Sequence, residues 1–212
     1  MTLDSKTTCE KPLDVIDKRA GSPARESLIE AAIEEFADKG YFKTKISDIV
    51  ARAGYSQPTF YAHFKSKDAI YQYLIERVRT ELREVIPGAR IPADKSLTDV
   101  RENLNKAIRA FLQYFIDNPK LAPIGYFDTE RNAGLHDEIV ALVSRNIAFE
   151  QGAGYCRTDI DPVFLSECYN GSLERLIRVY LLTGEFDAST LAEKIADLYG
   201  YGTVPDLARL QA

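Results

Sequence analysis

Apolar residues recur at helical spacing along most of this chain, and no stretch shows the alternation of a half-buried strand. Leu28, Ile29, Ala32, Ile33 and Phe36 make one stripe, opened by Ser22-Pro23 and closed by Gly40, which predicts a helix over about 22–39. Ile46, Ile49, Val50 and Ala53 make a second, over about 45–53, with Lys45, Asp48 and Arg52 outward and Gly54 as a left-handed stop. A third, over about 57–64, opens with Ser56 as N-cap and with Pro58 in the first turn, where a missing N–H costs little. Only Gly54-Tyr55 separates the last two, so they must cross steeply, as in a helix-turn-helix.

A longer pattern follows from Ser66 through Ile70, Leu74, Val78, Leu82 and Val85 to a Pro87-Gly88 stop. A helix of about twenty residues spans roughly 30 Å, enough to join two domains and to deliver a shift at one end as a swing at the other. From Leu97 onward every long segment reads as helix. One carries Val100, Leu104, Ala107, Ile108, Phe111, Leu112 and Phe115 and closes at Asn118-Pro119. Another covers about 135–150 with Ile139, Leu142, Val143 and Ile147. Asp161-Pro162 opens a third through Phe164, Leu165, Cys168, Leu173, Leu176, Ile177 and Tyr180, and a fourth covers about 187–199. The expectation is an all-α chain. Its 212 residues, 45% hydrophobic, suffice for one small and one medium domain.

Charge sharpens this picture. The formal net charge is -5, yet between positions 39 and 67 Lys39, Lys43, Lys45, Arg52, Lys65 and Lys67 oppose only Asp48. A basic stretch inside an acidic chain suits a surface that lies against a polyanion. Apolar runs are short and broken by charge, and Asp4, Lys6, Glu10 and Asp14 stand where a signal peptide would be apolar, so no membrane span is expected. Cys9, Cys156 and Cys168 give neither a disulfide framework nor metal spacing and suit a reducing cytoplasm. Neither cysteines nor the two histidines stand in a catalytic motif, so no enzyme and no cofactor is expected. Asp128, Glu130, His136 and Asp137 fall in a turn-rich stretch without fixed ligand spacing, and no metal is expected there.

Residues 25–74 resemble the DNA-binding domain of the TetR/AcrR family of transcriptional regulators. The resemblance is carried by Leu28-Ile29-Glu30-Ala31-Ala32, Phe36, Gly40, Thr44, Asp48-Ile49-Val50, Ala53-Gly54, Ser56, Thr59-Phe60-Tyr61, His63-Phe64 and Ser66-Lys67-Asp68. It implies an arm over 1–20, which reads as flexible, a DNA-binding domain over 21–86 with its motif at about 44–63, and an effector-binding and dimerisation domain over 87–212. It also implies a homodimer on a palindromic double-stranded DNA operator, acting as a repressor that a small, largely apolar effector releases. The alternative is an architectural or division-control factor that acts through a protein partner and has no enclosed pocket.

The family's roles transfer as follows. Thr44 and Lys45 contact the DNA backbone, with Ser47 close to a base edge. A second Thr usually caps helix 2 where Lys45 stands, so the capping box with Asp48 is broken; either Thr44 takes over the cap or Lys45 adds its charge to a phosphate. Pro58 replaces the common Gly of helix 3. Gln57 suits a bidentate bond to adenine and Pro58 a thymine methyl. Ser56, Thr59, Tyr61 and His63 face phosphates or base edges, and Lys67 meets a phosphate at the head of helix 4. Phe60 and Phe64 are core. The last two long helices, about 162–199, pair across the two-fold axis, with Gly171 permitting close approach. Phe111, Tyr114, Phe115, Tyr126, Phe127, His136 and Tyr169 are candidate effector contacts, against a plain packing role for the same residues.

Overall fold

The computed structural model describes residues 21–86, 97–128, 131–132 and 134–201. The 1–20 arm with Cys9, the Pro87-Gly88 stop and Glu130 lie outside the described residues. Every regular element among the described residues is helical.

Helix α1 (Pro23–Lys43) begins where Ser22 Oγ accepts the Arg25 N–H at 3.2 Å. It does not end at Gly40. That residue bends the chain at φ 75°, ψ 164°, and one further turn runs to Lys43. Helix α2 (Ile46–Ala53) is closed by left-handed Gly54 at φ 73°, and α3 (Gln57–His63) follows. Helix α4 (Lys67–Val85) starts from Ser66, whose Oγ accepts the Ala69 N–H at 3.0 Å. Their inner faces bury Leu28, Ile29, Ile49, Phe60, Ile70 and Leu74 completely or nearly so. Each such side chain stabilises the fold by about 1.5–3 kcal/mol relative to exposure.

One buried charge joins α1 to α2. Glu35 is only 4% exposed, and its carboxylate accepts from Lys39 Nζ at 2.5 Å and Arg52 Nε at 2.6 Å. The Lys39 and Arg52 bonds hold its pKa below the usual range despite burial. An unpaired carboxylate there would be strongly destabilising.

The start of α2 settles the capping question. Lys45 is the N-cap residue, and the Asp48 carboxylate reaches back to accept its backbone N–H at 3.3 Å. That arm of the capping box survives; the other does not, because an ammonium has no lone pair to offer. Thr44 does not take over the cap. Its buried hydroxyl points to the carbonyls of Glu35 (3.0 Å) and Gly40 (2.9 Å).

The remaining helices are α5 (Leu97–Asp117), α6 (Leu121–Phe127), α7 (Leu135–Gly152), α8 (Pro162–Leu176) and α9 (Ala188–Tyr201). Helix α8 runs into a π-helical turn, Ile177–Leu181, where the Leu182 N–H reaches the Ile177 carbonyl at 2.9 Å. Helix α5 packs on α9, and α7 on α8. Helix α6 is a departure from expectation: seven residues containing Pro123 and Gly125 are too short to show a period. Gly125 lets it lie close on α4, since a Cβ there would stand 2.5 Å from the Val78 Cβ.

Polar ties fix α4 to the helices around it. Tyr71 Oη donates to Asp128 at 2.5 Å, Tyr114 Oη on α5 donates to Glu81 at 2.9 Å, and Arg83 pairs with Glu138 on α7 at 2.7 Å. Arg131 lies over the rings of Tyr41 and Phe42 and pairs with Asp128 at 3.2 Å. The first three helices and the C-terminal set therefore share α4 as a common strut. None of the described helices is long and apolar enough to cross a membrane.

Candidate functional site

Helix α3 turns two different faces to its surroundings. Phe60 is fully buried, whereas Gln57 and Pro58 are exposed and Tyr61 is 54% exposed. Helical spacing explains this: Gln57 and Tyr61 are four apart and share the outer side. Ser56 begins α3, but its side chain makes no cap bond; its hydroxyl bonds that of Thr59 at 3.0 Å. Ser47 is exposed on α2 beside the exposed Lys45. His63 is half-buried, with Nδ1 enclosed and without a hydrogen-bond partner.

Two residues expected to touch DNA are directed inward. Thr44 is 1% exposed, its hydroxyl is committed to carbonyls and its backbone N–H to the Gly40 carbonyl at 3.3 Å, so its donors are all directed into the fold. Lys67 Nζ donates to the carbonyls of Tyr41 (2.7 Å) and Thr44 (2.9 Å) and stands 4.2 Å from the Tyr41 ring centre. With two of its three donors used, Lys67 pins α4 to the α1–α2 turn and keeps at most one for a phosphate.

The basic stretch is likewise partly internal. Arg52 pairs with Glu34, Glu35 and Asp38, and Lys39 with Glu35 and Asp48. Those α1 acids precede position 39 in sequence but stand beside Arg52 in space. Among the described residues no acid pairs with the exposed Lys43, Lys45 and Lys65. They supply the outward positive charge around α2 and α3.

A chamber of about 840 Å³ opens among the end of α4 and helices α5, α7, α8 and α9. Leu104, Ile108, Val143, Ile147 and Leu165 give it apolar walls. Of the seven candidate contacts, Phe111 and Tyr169 line it. The other five are built into the fold. Tyr114 is held by Glu81, Phe115 is fully buried among aromatic rings, and Phe127 lies under the Arg178 guanidinium at 3.7 Å. Tyr126 donates to Asn170 Oδ1 at 3.1 Å. His136 places Nε2 3.0 Å from the Tyr126 carbonyl and Nδ1 2.9 Å from Asn170 Nδ2. Donation from Nε2 to the carbonyl leaves Nδ1 to accept, a neutral tautomer that crosslinks α6, α7 and α8.

Glu150 was not among the candidates, yet it lines the chamber on α7. Burial pushes its pKa up to about 7. The signal lay in spacing: Glu150 follows Val143 and Ile147 by seven and three residues, on the same helical face.

Known proteins resemble this arrangement. The profile described as "Bacterial regulatory proteins, tetR family" matches residues 28–74. An uncharacterised HTH-type transcriptional regulator of Bacillus subtilis (strain 168), YdgC, is 30% identical over 188 residues, spanning 89% of this chain and 96% of that one. Among solved structures, the TetR family regulator PfmR of Thermus thermophilus superposes with a TM-score of 0.71 at 21% identity, covering 84% of this chain and 99% of that one. FadR of Bacillus subtilis, solved in complex with stearoyl-CoA, does so with a TM-score of 0.66 at 17% identity, covering 84% and 99%.

Proposed function

The chain belongs to the tetR family of bacterial regulatory proteins and is a helix-turn-helix transcriptional regulator; from this we propose that it is a homodimeric repressor that a small, largely apolar effector releases from its operator. In this reading, residues 21–86 read DNA and 87–212 bind effector and partner. Gln57, Pro58 and Tyr61 enter the major groove from the outer side of α3, Ser47 and Thr59 border them, and Lys45 meets the phosphates. Two copies place their α3 helices about 34–36 Å apart in successive grooves, which calls for a near-palindromic site.

The observation that carries the effector half is the chamber itself. A volume of about 840 Å³ with apolar walls lies within the range of small-molecule sites, and an architectural factor has no use for it. The stearoyl-CoA complex of FadR supports the same reading by analogy of fold. Its place supports a mechanism as well. Val85 and Ile86, at the end of α4, form part of the wall, so an occupant that shifts them moves the strut that carries α3. A coupling of about 1–3 kcal/mol suffices to change operator affinity several-fold to a hundredfold.

Exposed Val163, Phe164 and Leu198 on α8 and α9 support pairing of these helices across the two-fold axis, and open space faces Gly171. Fluorescence polarisation against DNA from upstream of its own gene tests the proposal. Tight binding that weakens steeply with salt is expected; weak, salt-insensitive binding contradicts it.

A further inference from the structure

Among the described residues that line the chamber, one acid stands without a counter-charge. The Glu150 carboxyl, half-buried at the chamber wall, has no hydrogen-bond or ion-pair partner among the described residues. The two arginines that border the chamber do not serve it. Arg101 on α5 is held by Asp197 of α9 at 3.0 and 2.5 Å, and Arg157 by Asp159 at 2.7 and 2.5 Å. Apart from these arginines, the other titratable groups of the wall are a thiol and phenols. Burial, with Glu150 itself contributing, pushes up the Cys156 thiol in the loop after α7 and the Tyr169 phenol on α8. Tyr155 and Tyr199 complete the polar rim. Tyr169 and Tyr199 stack with ring centres 3.7 Å apart, adding electron-rich surface to that of Phe111.

We propose that the chamber takes an amphiphilic cation, an apolar body carrying one amine-type nitrogen, and seats that nitrogen against the Glu150 carboxylate. The inference rests on the reading of the chamber as the effector site. A half-buried carboxylate with no counter-charge among the described residues is disfavoured as an anion, and a cationic ligand supplies that charge. The aromatic rings add attraction for the same charge. A ligand carboxylate would instead meet a like charge in a weakly screened space. Because Glu150 titrates near neutrality, seating a cation drives off the proton it carries below about pH 7. Amine affinity therefore rises as pH rises through that value.

Calorimetric titration of the full chain with decylamine, decanol and decanoate tests the inference, since the three share one apolar body and differ in charge. Decylamine is expected to bind most tightly, and Glu150→Gln to weaken it about thirtyfold or more while shifting decanol little. Decanoate binding as tightly as decylamine, or an amine affinity indifferent to Glu150→Gln, overturns the inference. If the variant fails to fold, the ranking of the three probes on the native protein and the pH dependence of the amine decide alone. Operator release by decanol or decanoate but not by decylamine leaves the effector reading standing and removes this inference. No binding of any probe by protein that still holds its operator removes both.

Discussion

At the scale of single residues, Lys45 and Lys67 stand at the heads of α2 and α4, the first exposed and the second turned inward. Lys67 reads as a cation next to a helix start, yet the carbonyls that take its donors belong to Tyr41 and Thr44, more than twenty residues earlier. Lys67→Met should therefore lower the melting temperature, whereas Lys45→Ala should leave it unchanged and reduce the salt slope of operator binding by about one per half-site. Melting curves and polarisation at several salt concentrations separate the two. Gln57→Ala should relax preference at one operator position, a discrimination of about 1–3 kcal/mol, and leave the others intact. Aromatic type does not separate chamber from core: Phe111 and Tyr169 line the chamber, whereas Phe115 and Tyr126 are fully buried. By type alone, Glu150 near the end of α7 reads as solvated charge. Its folded pKa is raised, so its contribution to stability is greatest at low pH and is lost as pH rises through about 7. The unliganded protein should thus melt progressively lower between about pH 5 and pH 8, and Glu150→Gln should flatten that trend.

At the scale of elements, periodicity locates α4 and α5 because each buries one apolar stripe, whereas the buried positions of α8 are Ser166 and Asn170 and its start is marked by the Asp161-Pro162 cap. Helix ends were less legible. Gly40 was expected to close α1, but its positive φ bends the chain and the Thr44 hydroxyl secures the added turn through the Gly40 carbonyl. Helix α6 was invisible to pattern, and its position follows from a contact: Gly125 against Val78. Gly125→Ala must force α6 off α4 or displace Val78, at a cost of about 1–3 kcal/mol. Thermal melting should show the loss, and Val78→Ala in the same chain should recover part of it. Since α4 carries α3, the single variant should also weaken operator binding at temperatures where it remains folded.

At the scale of the whole molecule, charge and pattern point to the proposed division of labour, and what the single chain leaves uncovered points to the proposed partner surface. Val163, Phe164 and Leu198 are exposed on the two helices assigned to pairing, so Phe164→Glu should yield a monomer in sedimentation equilibrium and lose most operator affinity. Acidity elsewhere in the chain need not oppose DNA binding, because the outward lysines stand beside α3 while Arg52 and Lys39 pair with Glu34, Glu35 and Asp38 of α1. The central claim is that two copies of α3 read duplex DNA together from the Gln57 side. Selection of binding sites from random duplex DNA by the native protein tests it most directly. Enrichment of an inverted repeat with half-site centres about 10–10.5 base pairs apart, lost when Gln57 and Tyr61 are both replaced by Ala, is the predicted result. Recovery of no common sequence, or of the same sequence by that double variant, would contradict the account.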